Sequence, residues 1–136
     1  MSSGGPRHKV VVAAIIEHAG RILVCQRRVG DWGAGKWEFP GGKLEVGENP
    51  RLALERECEE ELGVIARAGA VYDVVHHTYA DLGPVLLLFI KVEIVSGEPS
   101  PVEVAAFDWS RPEDLAKYDW LPADEPIVAR LMAEGV

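Results

Sequence analysis

The stretch Gly42–Val64 reads GKLEVGENPRLALERECEEELGV, and it decides how the rest of the chain is interpreted. Asn49 followed by Pro50 is typical of a helix start, with asparagine as the N-cap and proline in the first turn. Gly63 is typical of a helix end. The stretch therefore predicts a loop followed by a helix that runs from Asn49 to about Leu62.

Carboxylates dominate the second half of this helix, where five of the seven residues from Glu55 to Glu61 are glutamates. Glu57, Glu60 and Glu61 are related by i, i+3 and i+4 and therefore share one face. An i, i+4, i+8 stripe of apolar residues lies beside them: Leu54, Cys58 and Leu62. The stripe predicts a buried face, so the three glutamates are expected at the rim of the core.

Glutamates at this spacing repel one another, and the helix macrodipole disfavours anions near a C-terminus. A solvated charged face is the ordinary explanation for such a run. Hard oxygen ligands grouped on a rigid element also suit Mg²⁺ or Mn²⁺, which retain water and bridge to substrate phosphates. The residues around the helix favour this second explanation.

At fixed spacing, the stretch resembles the Nudix box, G-x5-E-x7-R-E-U-x-E-E-x-G-U, in which U is a bulky apolar residue. Every fixed position is matched, at Gly42, Glu48, Arg56, Glu57, Glu60, Glu61 and Gly63. Cys58 is smaller than the usual aliphatic residue but packs as a small hydrophobe. The likeness to MutT-type members of this family covers most of residues 9–132, including the lead-in Lys36–Gly42.

The resemblance implies an α/β Nudix fold, a mixed β-sheet sandwiched between helices (α/β/α). The sequence pattern agrees and predicts five strands, at Lys9–Ile16, Arg21–Arg27, Gly69–Tyr79, Val85–Val95 and Glu103–Trp109. Val29–Gly47 is predicted as a loop, a short helix starts at Ser110–Glu113, and the last helix begins near Asp124. Residues 1–7 are predicted as a flexible tail and 8–136 as a single domain with the box at 42–64.

The resemblance also assigns roles to individual residues. The implied metal ligands are the carbonyl of Gly42 and the side chains of Glu57, Glu60, Glu61 and Glu103, the last of which could instead position water. Either Glu57 or Glu103 would be the general base. Arg56 would pair with Glu48 and orient the cluster, while Arg27 and Lys43 would meet phosphate.

The implied reaction is in-line attack of water on a phosphorus of the nucleotide chain, releasing a nucleoside monophosphate and pyrophosphate. Mg²⁺, with Mn²⁺ as a possible substitute, would screen the polyphosphate and acidify the attacking water. This explains how a chain with a net charge of −8 handles an anionic substrate.

Base recognition is predicted for Phe39, Tyr79 and Asp124, although the two aromatic residues could equally belong to the core and Asp124 could be a helix N-cap. MutT-type members have asparagine where this chain has Asp124, and cytidine-nucleotide pyrophosphohydrolases resemble it in having aspartate. An ionised aspartate only accepts hydrogen bonds, which suits the amino group of cytosine and the donors of guanine. The favoured substrates are (d)CTP, modified cytidine nucleotides or 8-oxo-dGTP. Dinucleoside polyphosphates, to which Tyr79 also points, and ADP-ribose are the alternatives.

Composition and the intact motif argue against several other classes of protein. The acidic charge opposes stable nucleic-acid binding, and so opposes a domain that reads damaged bases in duplex DNA. A catalytically inactive nucleotide-binding module is opposed by the intact box. No apolar run approaches the roughly 20 residues of a membrane span, and the two cysteines, Cys25 and Cys58, suit a reducing cytoplasm. A monomer and a homodimer both remain open.

Overall fold

A mixed seven-stranded sheet forms the centre of the computed structural model, which describes residues 7–136. The strands are β1 (Lys9–His18), β2 (Arg21–Gln26), β3 (Trp37–Glu38), β4 (Gly41–Lys43), β5 (Ile65–Tyr79), β6 (Gly83–Ser96) and β7 (Ala106–Ser110). Hydrogen-bonded neighbours run in the order β3-β2-β1-β6-β5, while β4 pairs with β1 and β7 pairs with β2. The pairing of β1 with β6 is parallel, and the other strand pairs are antiparallel.

Helices cover both faces of this sheet. They are α1 (Pro50–Leu62) and α2 (Glu125–Glu134), with 3₁₀ turns at Pro112–Lys117 and Pro122–Asp124. Because successive side chains of a strand point to opposite faces, β1 contributes Val12, Ala14 and Ile16 to the core on the α1 side. It contributes Ala13 and Ile15 to the core on the α2 side. The predicted α/β/α sandwich is confirmed.

Helix α1 has the predicted ends and the predicted buried face. The side chain of Asn49 accepts hydrogen bonds from the backbone N–H groups of Arg51 and Leu52, at 3.0 and 3.1 Å. Gly63 adopts a left-handed conformation with φ 70° and donates its N–H to the Glu59 carbonyl. The predicted apolar stripe is fully buried: Leu54, Cys58 and Leu62. This packing holds the glutamate face at the edge of the sheet.

The predicted loop Val29–Gly47 is wrong in one respect, because it contains the short strands β3 and β4. β4 consists of Gly41-Gly42-Lys43, and its first two residues pair with Ala13 and Val12 of β1. A Cβ on Gly41 would lie 1.9 Å from the Val12 carbonyl oxygen, so this approach requires glycine. Strand propensity gives no warning of such a segment, because glycine is normally depleted in strands.

The other strand predictions differ from the structure mainly at their ends. β5 begins at Ile65 rather than Gly69, and β7 begins at Ala106 rather than Glu103. The backbone N–H groups of Val102 and Glu103 donate to the Glu61 carbonyl at the end of α1, at 3.0 and 3.2 Å. This attachment diverts the segment from the sheet until Ala106.

The predicted tail Met1–Arg7 lies, apart from Arg7, outside the described residues. Within residues 7–136, neither helix has the length and apolar character needed to cross a membrane.

Candidate metal and nucleotide site

Arg56 lies at the centre of the glutamate cluster on α1. Its guanidinium pairs with Glu48 at 3.0 Å, with Glu60 at 3.1 Å and with Glu57 at 3.3 Å. The predicted pairing of Arg56 with Glu48 is confirmed. Three carboxylates share one guanidinium, so this part of the surface carries an excess of negative charge.

Gly42 brings the main chain of β4 against the carboxylate of Glu57. A Cβ on Gly42 would lie 2.5 to 2.7 Å from the carboxylate atoms of Glu57, a separation that only glycine avoids. The Gly42 main chain and a helix carboxylate are therefore in direct contact, as a shared ligand role requires.

Glu61 lies deeper than Glu57. One of its carboxylate oxygens accepts a hydrogen bond from the Gly41 N–H at 2.9 Å. Burial, reinforced by the negative charges of Glu38 and Glu57, raises the pKa of Glu61 to about 9. Burial also raises the pKa of Glu57 above its ordinary value. Both carboxylates lack sufficient positive charge in their surroundings.

The carboxylate oxygens of this cluster suit a hard dication by their chemistry, but Arg56 pairs with two of the carboxylates, those of Glu57 and Glu60. Within residues 7–136, no group of three or more histidine, cysteine, aspartate or glutamate side chains is arranged so that it could hold a metal ion. The carboxylates of Glu57 and Glu60 turn towards Arg56 instead. Clustered carboxylate oxygens beside a glycine main chain are nevertheless the donors that Mg²⁺ and Mn²⁺ prefer. A bound dication would relieve the charge imbalance that burial imposes on Glu57 and Glu61.

Glu103 joins α1 through its main chain only. Its N–H donates to the Glu61 carbonyl at 3.2 Å, and its side chain is exposed. Its assignment as a metal ligand, water-positioning residue or general base remains a prediction.

A cavity of about 250 Å³ opens beside this cluster. It reaches the glutamate face through β4, because Gly41, Gly42 and Lys43 form part of its wall. All five residues predicted to bind substrate line the same cavity: Arg27, Phe39, Lys43, Tyr79 and Asp124. The structure thus brings together residues from distant parts of the chain around one pocket.

Arg27 is already paired inside this pocket. Its Nη1 donates to Glu38 Oε2 at 2.9 Å, and its Nε donates to the carbonyl of Trp32. Burial raises the pKa of Glu38, and the neighbouring Arg27 opposes that rise. Glu38 was not predicted as a site residue. Its sequence signal was its place in the family lead-in Lys36–Gly42.

Asp124 occupies the N-cap position of α2, as one of the two interpretations predicted, but its side chain makes no capping hydrogen bond. It is 3% exposed and lines the cavity. Burial, together with the charge of Glu38, raises the pKa of Asp124 well above its ordinary value. The raised pKa favours the protonated carboxyl group, which offers a donor as well as an acceptor, over the ionised group, which only accepts.

Phe39 and Tyr79, the two aromatic residues predicted to contact the base, differ in how exposed their side chains are. Phe39 is only 2% exposed and stacks on Trp120, with ring centroids 4.9 Å apart and an interplanar angle of 27°. Tyr79 is half-buried, and its hydroxyl accepts a hydrogen bond from the Ala123 N–H at 3.0 Å. Its ring meets Trp32 edge to face, with centroids 4.8 Å apart. Trp32 lines the cavity but was not predicted. An aromatic side chain in a glycine-rich loop was its signal.

His76 and His77 both lie on β5. His76 Nε2 is 3.0 Å from His8 Nε2. The His77 ring packs edge to face on Tyr79, with centroids 4.4 Å apart, which places this side of the pair beside the cavity.

Comparisons with known proteins agree with this fold and site. The NUDIX domain family model matches residues 6–131. The chain is similar to the CTP pyrophosphohydrolase of Escherichia coli, with 41% identity over 124 residues that cover 90% of each chain. It is also similar to the 8-oxo-dGTP diphosphatase of the same organism, with 32% identity over 90% of this chain and 95% of the other. A MutT NUDIX hydrolase structure from Burkholderia pseudomallei superimposes with a TM-score of 0.82 and 31% identity, covering 93% of this chain and 99% of that one.

The chain therefore belongs to the NUDIX domain family. It is an enzyme, a hydrolase of the Nudix type with MutT-like relatives.

Proposed function

We propose that this enzyme is a Mg²⁺-dependent nucleoside triphosphate pyrophosphohydrolase that releases a nucleoside monophosphate and pyrophosphate. Its favoured substrates are (d)CTP, modified cytidine nucleotides or 8-oxo-dGTP, so its role is to sanitise the nucleotide pool. One observation carries the proposal: the glutamate face of α1 and the 250 Å³ cavity meet at the two glycines of β4. A base in the cavity would extend its phosphates towards the carboxylates.

The relatives support this substrate class. Their names include CTP pyrophosphohydrolase and 8-oxo-dGTP diphosphatase. Small-molecule pockets begin at roughly 300 Å³, so a cavity of about 250 Å³ suits one nucleobase. A mononucleotide substrate therefore fits this cavity better than two enclosed bases would.

The metal would be held by Glu57, Glu60 and Glu61 with the main chain of Gly42, and Glu103 would complete or assist this set. When bound, Mg²⁺ supplies neutralisation of the polyphosphate charge and acidification of the attacking water. Arg56 and Glu48 hold the carboxylates in register around the site.

Either Glu57 or Glu103 removes a proton from the attacking water. Glu57 is half-buried on α1 and contacts the main chain of Gly42. Glu103 is exposed and joins the end of α1 through its main chain. The base must lie within hydrogen-bonding distance of the water, so a structure with bound substrate distinguishes the two candidates.

Two cationic side chains suit the phosphates. Lys43 is exposed and follows Gly42 directly, and Lys9 lines the same cavity. Arg27 also lines the cavity, but its pairing with Glu38 directs it towards holding the wall in shape. These cations balance the acidic helix on the substrate side.

Asp124 and Glu38 form the polar end of the cavity. The protonated form of the Asp124 carboxyl group, which its raised pKa favours, donates and accepts, and this suits the adjacent amino and ring-nitrogen positions on the edge of cytosine or of an oxidised guanine. The paired Glu38 adds a second acceptor. Base selection therefore depends on these two carboxyl groups.

A substrate screen tests the proposal. The purified enzyme is incubated with normal and oxidised nucleoside triphosphates, ADP-ribose and diadenosine polyphosphates, with Mg²⁺, with Mn²⁺ or with EDTA. The expected result is Mg²⁺-dependent release of nucleoside monophosphate and pyrophosphate, fastest from CTP-type or 8-oxo-dGTP substrates. Preferred hydrolysis of ADP-ribose or diadenosine polyphosphates would overturn the substrate assignment, and binding without turnover would indicate a non-catalytic module.

A further inference from the structure

Trp32 lines the cavity from the segment that connects β2 to β3, and its side chain is partly exposed. Its indole lines the cavity together with the ring of Tyr79. The indole Nε1–H donates to Asp81 Oδ2 at 2.7 Å, and Asp81 lies in the turn between β5 and β6. This hydrogen bond joins two segments that are 49 residues apart along the chain, beside the cavity.

Hydrogen bonds fix both the main chain and the side chain of Trp32. On the main-chain side, its carbonyl accepts a hydrogen bond from Arg27 Nε. On the side-chain side, the bond from the indole lowers the pKa of Asp81, which keeps that carboxylate ionised and the hydrogen bond charge-assisted. The ring is therefore fixed in orientation although it is partly exposed.

The other aromatic side chains of the cavity are less suited to contact a base. Phe39 is buried, has one face covered by Trp120 and packs on Phe89 at nearly a right angle. Tyr79 uses its hydroxyl to hold Ala123. Trp32 is the largest aromatic side chain of the cavity lining, and it is partly exposed.

We propose that Trp32 stacks on the nucleobase of the substrate and that Asp81 is the positioning residue that holds its indole. This inference rests on the proposed function, because it requires a nucleotide substrate. Stacking is tolerant of base identity, since every base has a π face. Trp32 would therefore strengthen binding of all bases to a similar degree, while Asp124 and Glu38 discriminate between them.

The test compares Trp32→Leu with Trp32→Phe on substrates with and without a base. For Trp32→Leu, KM should rise about 10-fold to 100-fold for each nucleoside triphosphate, because stacking on an aromatic side chain is lost. Hydrolysis of ribose 5-triphosphate, which lacks a base, should stay unchanged. Trp32→Phe keeps an aromatic face and should recover most of the affinity.

Matched variants separate stacking from general damage. Trp109→Leu removes a tryptophan on β7 that packs against His18, away from the cavity, and should leave KM unchanged. Asp81→Asn keeps a hydrogen-bond acceptor for the indole and should behave nearly as the unmodified enzyme does. Asp81→Leu removes the acceptor and should raise KM for nucleotides without affecting the base-free substrate. Thermal unfolding of each variant verifies that it is folded.

An equal loss on nucleotides and on ribose 5-triphosphate would overturn the proposal, as would a loss confined to one base or no loss at all. Calorimetric binding of nucleoside monophosphates keeps this result separate from the proposed hydrolysis. If the unmodified enzyme binds monophosphates but hydrolyses no triphosphate, the proposed function fails, and the binding of the Trp32 variants still decides the role of Trp32. If it binds no nucleotide, both proposals fail.

Discussion

Glu57 lies at the point where α1 meets the glycine pair of β4. Its carboxylate contacts Gly42 on one side and Arg56 on the other. Burial raises the pKa of Glu57 although Arg56 opposes that rise, so its charge is only partly compensated. A single side chain thus links the helix, the glycine strand and the expected metal.

Replacing Glu57 with glutamine should keep the fold and abolish most of the activity. The amide has the same shape but loses the negative charge that holds a dication or accepts a proton, so kcat should fall by about 10²-fold to 10⁴-fold. Pyrophosphate release in Mg²⁺ measures the effect. Glu59→Gln on the same helix is the matched control, because Glu59 is exposed and lies outside the cluster. Near-native turnover of Glu57→Gln would contradict the assignment.

Asp124→Asn should change base preference more than it slows the best substrate. An amide always offers a donor beside its acceptor, whereas a carboxyl group donates only when it is protonated, so the two groups present different hydrogen-bonding patterns to the base. Ratios of kcat/KM for CTP, dCTP and 8-oxo-dGTP, compared between the two proteins, measure the shift. If the relative kcat/KM values for the three substrates stay the same, Asp124 does not take part in base recognition.

The same substitution should alter the pH dependence of stability. Burial raises the pKa of Asp124, so the folded protein retains a proton that the unfolded chain releases. The stabilisation that comes from this retained proton is complete below the pKa of aspartate in the unfolded chain, about 3.9. It is lost as the pH rises through the pKa of Asp124 in the folded protein. Asparagine does not titrate, so the advantage of Asp124→Asn over the unmodified protein in free energy of unfolding should increase with pH. Urea denaturation of both proteins in EDTA between about pH 5 and about pH 8 tests this. A constant difference in the free energy of unfolding across that range would contradict it.

At the scale of elements, α1 and β4 form the site together, and their glycines differ in what they touch. A Cβ on Gly42 would meet only the flexible end of Glu57, whereas one on Gly41 would meet the backbone of Val12 and Ala13. Gly42→Ala should therefore fold with a displaced Glu57 carboxylate, weak metal binding and low activity. Gly41→Ala should disturb the pairing of β4 with β1 and lower the melting temperature. Equal melting temperatures or an active Gly42→Ala enzyme would argue against this geometry.

Helix α1 could be predicted from end to end, because its caps and its apolar stripe are local features of the sequence. Strands β3 and β4 could not, because they contain two and three residues and β4 depends on close approach to β1. The same distinction applies to the site. The glutamates were found from their spacing on one helix, whereas Glu38 and Trp32 acquire their places through contacts with Arg27 and Asp81. Burial also raises the pKa of Asp124, which the residue type alone does not reveal.

At the scale of the whole molecule, an enzyme with a net charge of −8 must bind an anionic substrate. Lys9 and Lys43 in the cavity wall supply part of the positive charge that this requires. The glutamates of α1 can contribute to substrate binding only if a dication bridges them to the phosphates. Metal binding by this cluster is therefore the claim on which the proposed function depends.

A crystal structure with Mn²⁺ and a non-hydrolysable nucleotide tests that claim most directly, because the anomalous signal of manganese locates the ion. The account predicts an anomalous peak roughly 2 Å from oxygens of Glu57, Glu60 or Glu61 and from the Gly42 carbonyl, in contact with phosphate. A peak elsewhere, or none with Arg56 still paired to Glu57 and Glu60 and the nucleotide bound away from the helix, would contradict it.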